Sequence, residues 1–127
     1  MPPVLRPLLV ALRGLAVLQL SLGGALWAGY AGPWRTLHLG LGVGLGLALL
    51  ALGATVTAVA RRPGALLIVG AWTVLLVAYG VGHARLLPGS AHWVAQVAHV
   101  LLGLATLGLA EWVAGRAGRA GPRRVVA

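Results

Sequence analysis

The hydrophobic pattern divides the chain into four long apolar segments separated by short polar breaks. The segments cover about residues 8–30, 34–60, 65–86 and 90–115. Each has the length of about 20 residues that an α-helix needs to cross the hydrocarbon core of a bilayer. Backbone groups in lipid must hydrogen-bond within their own segment, so we expect four transmembrane helices. The pattern therefore predicts an all-α, integral membrane four-helix bundle in a single domain.

The breaks between the segments contain the residues that end helices. Glycine, proline and arginine dominate them, in the sequences AGPW, RRPG and LPGS. Ser90, in the last break, is predicted to cap the fourth helix. The first segment, which follows Arg6 and Arg13, also fits a signal peptide with a weak cleavage site near residues 28–31.

Composition supports a membrane protein and restricts its chemistry. Of the 127 residues, 60% are hydrophobic and 9% are charged, and the single acidic residue is Glu111. A soluble domain of this size would need a polar surface that this composition cannot supply. The chain has no cysteine, which excludes disulfides, thiolate metal sites and covalent attachment of c-type haem. Any metal must therefore be held by histidine.

The arginines indicate how the bundle is oriented. Arg35 and Arg85 flank one side of the predicted membrane. The opposite side carries eight arginines. Cytoplasmic loops carry an excess of basic residues, so we expect that side to be cytoplasmic, with both termini and the basic tail 117–127 there. This predicts the inner (cytoplasmic) membrane of a prokaryote. The net charge of +9 does not indicate nucleic-acid binding, because no groove-reading element accompanies these arginines. The eight arginines of that side are Arg6, Arg13, Arg61, Arg62, Arg116, Arg119, Arg123 and Arg124.

All four histidines fall in the half of the bundle opposite the predicted cytoplasmic side. His38 begins the second segment, His83 ends the third, and His92 and His99 lie seven residues apart in the fourth. Seven residues is close to two helical turns, so His92 and His99 share one helix face. Ionisable side chains within a membrane segment are costly without a partner, which makes them functional candidates. The competing interpretation is that those near helix ends only bridge lipid and water.

A haem is the ligand that this set of histidines fits best. Calcium and magnesium need oxygen ligands, and a zinc site would usually recruit a carboxylate or bound water. Bis-imidazole ligation needs only two histidines at similar depth on different helices. We expect His38 and His99 to be the axial ligands, with His92 as the rival to His99. His83 and His92 would otherwise bind propionates, line a substrate cleft or bind a second ion. The absence of histidine from the other half favours one b-type haem per chain.

Small and basic residues accompany these histidines at helical spacing. Gly42 and Gly46 follow His38 in steps of four, and Gly103 follows His99 by one turn. Small residues let a flat macrocycle lie against a helix, although the same glycines also fit close helix packing. Arg35 and Arg85 are expected at the outer surface, where they could neutralise two propionates.

Two segments resemble those of a known family. They are WRTLHLGLGVGLG in the second segment and SAHWVAQVAHVLLGLA in the fourth. Both are similar to the haem-binding helices of small membrane b-type cytochromes, in particular one four-helix half of the haem A synthase family. The resemblance covers the second to fourth helices and implies a haem pocket between a histidine near the outer end of the second helix and one on the fourth. That family has a glutamate three residues before the first of these histidines, where this chain has Arg35, so the resemblance implies the pocket rather than haem A synthesis.

The sequence therefore predicts a membrane-embedded b-type haem protein that transfers electrons, with quinone as a possible partner, or that handles haem. If it is an enzyme, it is a haem-dependent oxidoreductase. One alternative is a cofactor-free scaffold or accessory subunit that packs against a larger membrane complex, or against itself, through its glycine-rich faces. Another is a metal or proton channel that uses His99, Gln96 and Glu111. Glu111 also fits an interfacial ion pair.

Overall fold

The structure, a computed structural model, describes residues 2–30 and 32–118. It is all-helical in this range, as the sequence predicts. Of the predicted basic tail, residues 119–127 lie outside the described residues. The four long helices are α1 Leu5–Trp27, α2 Pro33–Ala60, α3 Pro63–Gly82 and α4 His92–Gly118.

The four helices are long and apolar enough to cross a membrane, which confirms the predicted number and apolar character of the helices; their insertion into a membrane stays a prediction. The connection between α3 and α4 is more structured than the pattern indicates. It contains two short 3-10 helices, His83–Arg85 and Gly89–Ala91. Because α4 begins at His92, Ser90 lies within the second of these rather than at the cap position predicted for it.

Tight breaks place consecutive helices side by side. Gly32 has φ 78° and is followed by Pro33 in the first turn of α2. Arg61 ends α2 in the left-handed conformation, with φ 50°, and Pro63 starts α3. Proline is common in the first turn of a helix, because the N–H groups there have no partner within the helix and the N–H that proline lacks is not needed. The Thr57 hydroxyl donates to the Arg62 carbonyl at 3.1 Å and closes this turn.

Helices α2 and α4 each contact the other three helices of the bundle, whereas α1 and α3 do not contact each other in the described part of the chain. We call the end that carries the start of α1 and the finish of α4 the terminal end. The opposite end is the histidine end, because all four histidines lie there.

The closely packed half of the bundle is the terminal half. Leu5 and Leu12 of α1, Leu49 and Val56 of α2 and Val113 of α4 have almost no accessible surface. Beyond Ala16, Leu45 and Leu76, toward the histidine end, Ala95 is the one buried residue among those that the structure describes. The bundle is therefore closely packed in the terminal half and loosely packed in the histidine half. The buried apolar cluster comprises Leu5, Leu9, Leu12, Ala16, Leu45, Leu49, Leu52, Val56, Val69, Leu76, Ala110, Val113, Ala114 and Ala117.

Glycines of α2 have two different uses. A Cβ atom on Gly53 would lie 3.1 Å from the Cβ of Val69, and one on Gly46 would lie 3.1 Å from Cγ2 of Thr73. These glycines let α2 and α3 approach closely, as small residues do between membrane helices. A Cβ on Gly44 would meet no atom within 4 Å. Gly44 therefore faces away from the packed helices, and self-association through this face stays a prediction.

The one acidic residue joins the first helix to the last. The Arg13 guanidinium contacts Oε1 of Glu111 through Nη2 at 2.6 Å and Nε at 2.8 Å. Arg116, the nearest arginine in sequence, instead lies over the ring of Trp112, 3.8 Å from its centre. The ion pair of Glu111 is thus a long-range contact between α1 and α4.

A hydrogen bond between α3 and α4 crosses the packed half. The Trp72 indole N–H donates to the Thr106 hydroxyl oxygen at 2.9 Å, and this hydroxyl donates to the Leu102 carbonyl at 2.8 Å. Thr106 has no accessible surface. A donor that loses its partner in such a place has no water to replace it.

We expect Thr106→Val to destabilise the bundle by about 1–2 kcal/mol, because valine keeps the shape of threonine but cannot accept the bond from Trp72. Thermal unfolding in detergent, followed by helical circular dichroism, measures the effect. The control is Thr55→Val, since the Thr55 hydroxyl bonds only the Ala51 carbonyl of its own helix. An equal loss in both variants would contradict the expectation.

Candidate functional site

A cavity of about 520 Å³ occupies the histidine half of the bundle, and all four helices contribute to its wall. This volume lies within the range of about 300–1,000 Å³ that is usual for small-molecule and cofactor sites. Ala16, Leu45 and Leu76 line the cavity and are buried. They form its floor, where the packed half of the bundle begins. The cavity is a space for a ligand that is closed at one end.

His38 of α2 and His99 of α4 both line this cavity. Their ring centres are 6.0 Å apart and their planes are inclined at 63°. Within the described residues, Nδ1 of each ring is buried and has no hydrogen-bond partner. Buried polar atoms are usually paired. The structure therefore brings together the two histidines that the sequence singled out as a ligand pair, and leaves polar atoms of both rings without protein partners.

His83 and His92 extend the cluster toward the surface. The His83 ring lies parallel to that of His99, at a centre distance of 4.7 Å, and it lines the cavity. The His92 ring lies 6.3 Å beyond that of His83 and is not part of the cavity wall. This arrangement favours His99 over its rival His92 as a ligand inside the cavity.

Glycines give the two inner imidazoles their space. A Cβ atom on Gly23 would lie 3.4 Å from Cε1 of His38, and one on Gly80 would lie 3.3 Å from Cε1 of His99. Each ring thus rests against a glycine of a neighbouring helix. A larger residue at Gly23 or Gly80 would press on the ring that it faces.

The glycines predicted to accommodate a macrocycle differ from one another. Gly103 lines the cavity, and a Cβ there would meet nothing within 4 Å. Gly42 also lines it, but a Cβ there would lie 2.8 Å from Nε2 of Gln19. Gly46 is absent from the cavity wall and packs against Thr73 of α3. Gly103 thus offers the open surface that a flat ligand needs, Gly42 lies beneath an amide, and Gly46 serves helix packing.

The two arginines expected at the outer surface are placed differently. Arg35 is exposed and belongs to the cavity wall, where its guanidinium can reach an anionic group at the rim. Arg85 is exposed in the 3-10 helix after α3 and is not part of the wall. One of the two arginines is therefore in position to neutralise a ligand carboxylate.

Several residues of this site were not foreseen from the sequence. Gln19 lines the cavity, and its Oε1 is buried without a partner within the described residues. The Tyr79 ring lies 6.2 Å from the rings of both His83 and His99, and its hydroxyl donates to the Ala95 carbonyl at 3.1 Å. An amide in the middle of an apolar helix was the available signal for Gln19. Nothing in the sequence distinguished Tyr79 from an interfacial tyrosine.

The histidines do not form a multi-ligand metal centre. In the part of the chain that the structure describes, no group of three or more His, Cys, Asp or Glu side chains is placed to hold one metal ion. Structural and catalytic zinc sites use three or four protein ligands. Bis-imidazole ligation of a haem iron needs only two, the number of imidazoles that His38 and His99 bring to this cavity.

No protein-family model matches the chain, and no curated protein or solved structure is significantly similar to it. The resemblance of the second and fourth helices to b-type cytochromes therefore stays a prediction. Function is inferred below from the residues and their geometry alone.

Proposed function

We propose that this chain is a multi-pass membrane protein that binds one b-type haem between α2 and α4 and transfers electrons. The observation that carries this proposal is the pair His38 and His99. Their rings come from two helices, line one cavity and have centres 6.0 Å apart. Two imidazoles that bind one metal ion from opposite sides, at about 2 Å each, have ring centres about 6 Å apart. The observed separation matches that requirement.

The remaining cavity wall suits a ligand that is flat, largely apolar and anionic at one edge. Aliphatic side chains and glycines form most of the wall, and Gly103 has free space in front of it. Arg35 supplies a positive charge at the rim, where a propionate would lie. Gln96 adds an amide to the same wall. Apolar burial and axial ligand identity are two of the features by which proteins tune a haem.

When bound, a haem supplies one-electron redox chemistry. His38 and His99 would hold its iron, and binding by two imidazoles would favour electron transfer over reactions that need an open iron site. The chain would hold the macrocycle in a dry cavity and balance its carboxylate charge. Haem handling, in which the group is bound for transfer, uses the same residues. Arg35, at the position of the family's glutamate, gives no support to haem A synthesis.

We place both termini on the cytoplasmic side of a prokaryotic inner membrane. Arg6, Arg13, Arg61, Arg62 and Arg116 lie toward the terminal end, and this bias predicts that end to be cytoplasmic. The cavity would then face the outer leaflet. An apolar exterior supports insertion, since large side chains such as Leu67, 74% exposed, point away from the bundle.

A lipid-soluble quinone is the electron partner that the cavity walls favour. Leu39 and Val43 of α2 and Val77 and Val81 of α3 line the cavity and are also exposed on the outside of the bundle. The cavity therefore reaches the side of the molecule between these two helices. In a bilayer, this opening would face acyl chains and admit a ligand dissolved in lipid.

The visible spectrum of the protein, purified after expression with an adequate haem supply, tests the proposal. We expect a Soret band, a sharp α-band after reduction, and about one haem per chain in a pyridine haemochrome assay. Folded protein that is colourless under these conditions would overturn the proposal and support the cofactor-free scaffold instead. Helical circular dichroism establishes that the sample is folded.

A further inference from the structure

We propose that His83 and His92 form a second metal site, separate from the pair His38 and His99, which takes a tetragonal divalent cation and prefers copper(II). The two residues lie at opposite ends of the short connection between α3 and α4, at the rim of the histidine end. The proposal does not depend on haem binding, because neither residue belongs to the ligand pair proposed for the iron.

The hydrogen bonds of both rings prepare them for metal binding. Nδ1 of His83 lies 2.9 Å from the Gly80 carbonyl, and Nδ1 of His92 lies 3.1 Å from the Leu86 carbonyl. A carbonyl can only accept, so each Nδ1 carries the proton and donates. Nε2 of each neutral ring then keeps a free lone pair. Metal-binding histidines commonly have this arrangement, in which a backbone acceptor fixes the tautomer and orientation of the ring.

The distance between the ring centres of His83 and His92 bears on the coordination geometry of an ion that they share. Their centres are 6.3 Å apart and their planes are inclined at 14°. Two imidazoles on opposite sides of an ion, at about 2 Å each, have centres about 6 Å apart, while a tetrahedral angle would bring them to about 5 Å. The observed separation is nearer to the value for opposed ligands than to the tetrahedral value. Opposed nitrogens in a square plane are typical of copper(II) and nickel(II), whereas zinc prefers the tetrahedron.

The connection between the two residues holds them in place. Its eight intervening residues include Leu87, with φ 48°, and Gly89, with φ 80°. A leucine with positive φ is uncommon and persists only where its surroundings impose that conformation. Two 3-10 helices complete the turn. His83 and His92 are therefore presented by a compact turn of defined backbone conformation.

The surroundings allow a labile site of modest affinity. His92 is partly exposed, so water can fill the remaining coordination positions. The single carboxylate of the chain, Glu111, is paired with Arg13 in the other half of the bundle. Neutral nitrogen ligands without a carboxylate favour copper(II) over the other divalent first-row ions, according to the usual order of stability. Exposed Arg85 adds a nearby positive charge, which weakens binding of any cation.

Titration of the untagged protein in detergent with copper(II) chloride, followed by calorimetry and electron paramagnetic resonance, tests the site. We expect one copper(II) with nitrogen ligands at His83 and His92, and zinc(II) bound there at least about tenfold more weakly. His92→Gln should lower the copper affinity at least about tenfold, since it removes one of two protein ligands. His83→Gln should do the same. Ser90→Ala, in the connection between the two histidines, should leave the affinity within about twofold of the wild-type value.

Wild-type copper affinity in His92→Gln would overturn the proposal, and so would an equal loss in Ser90→Ala. His92 is outside the cavity wall, so this variant remains informative even if His83→Gln disturbs the adjacent ring of His99. The two metal proposals fail separately. Colourless protein that binds copper through His83 and His92 contradicts only the haem site, and coloured protein that does not bind copper contradicts only this one.

Discussion

Replacing His99 with alanine is expected to abolish the haem spectrum, and His38→Ala should do the same. Each substitution removes one of the two proposed ligands to the iron. Mutating a residue that only orients a metal ligand already lowers metal affinity by about 10–100-fold. We therefore expect the loss of a ligand itself to weaken haem binding by about 100-fold or more. The Soret absorbance per chain after purification measures the effect, with circular dichroism as the control for folding.

The matched control for His99→Ala is His92→Ala, on the same helix and two turns away. Because the His92 ring is not part of the cavity wall, we expect the spectrum and haem content of this variant to resemble those of the wild type. If His92→Ala loses the haem while His99→Ala keeps it, the assignment of the axial ligands is wrong. If all four single histidine variants keep it, histidine ligation itself is contradicted.

Gly53→Ala is expected to destabilise the bundle by about 1–3 kcal/mol, the usual cost of forcing an extra carbon into a packed interior. The new Cβ would lie 3.1 Å from both Cβ and Cγ1 of Val69 and 3.3 Å from its Cγ2. Valine in a helix has one strongly preferred rotamer and cannot move aside. Helices α2 and α3 would therefore have to separate. The unfolding midpoint in detergent, compared with that of the wild type, measures the loss.

The control for this substitution is Gly44→Ala, also in the interior of α2. A Cβ at Gly44 would meet no atom within 4 Å. Alanine has the higher helix propensity by up to about 1 kcal/mol, so this variant should be as stable as the wild type or slightly more so. Equal destabilisation of the two variants would mean that the cost is unrelated to contact with Val69.

The class of fold was predictable because it depends on properties that can be counted along the chain. Apolar segment length and the glycine and proline breaks predict four helices without any knowledge of packing. The rotation of each helix about its axis is set by packing, which single segments do not reveal. The ion pair of Glu111 illustrates this limit. Its nearest arginine in sequence is Arg116, yet the structure pairs it with Arg13, 98 residues away.

Parts of the candidate site were predictable for a similar reason. The depth of a histidine along a helix follows from its position in the segment, so His38 and His99 could be matched across two helices. The use of each glycine could not be read from spacing. Gly42 and Gly46 share a face with His38, but Gln19 covers one and Thr73 packs against the other. The contribution of α1 to the cavity includes Gln19, the one amide side chain of this helix. The hydrophobic pattern of α1 gives no indication of this contribution.

The buried floor of the cavity has a consequence for where exchange can occur. Ala16, Leu45 and Leu76 separate the space around the histidines from the arginines of the opposite end, and the described helices below them are closely packed. A solute that enters beside His83 can leave at the histidine end or through the opening between α2 and α3, but not through the packed half. The cavity would therefore communicate with one side of the membrane and be closed to the other. Any charge that it stores would be returned to the same face of the membrane.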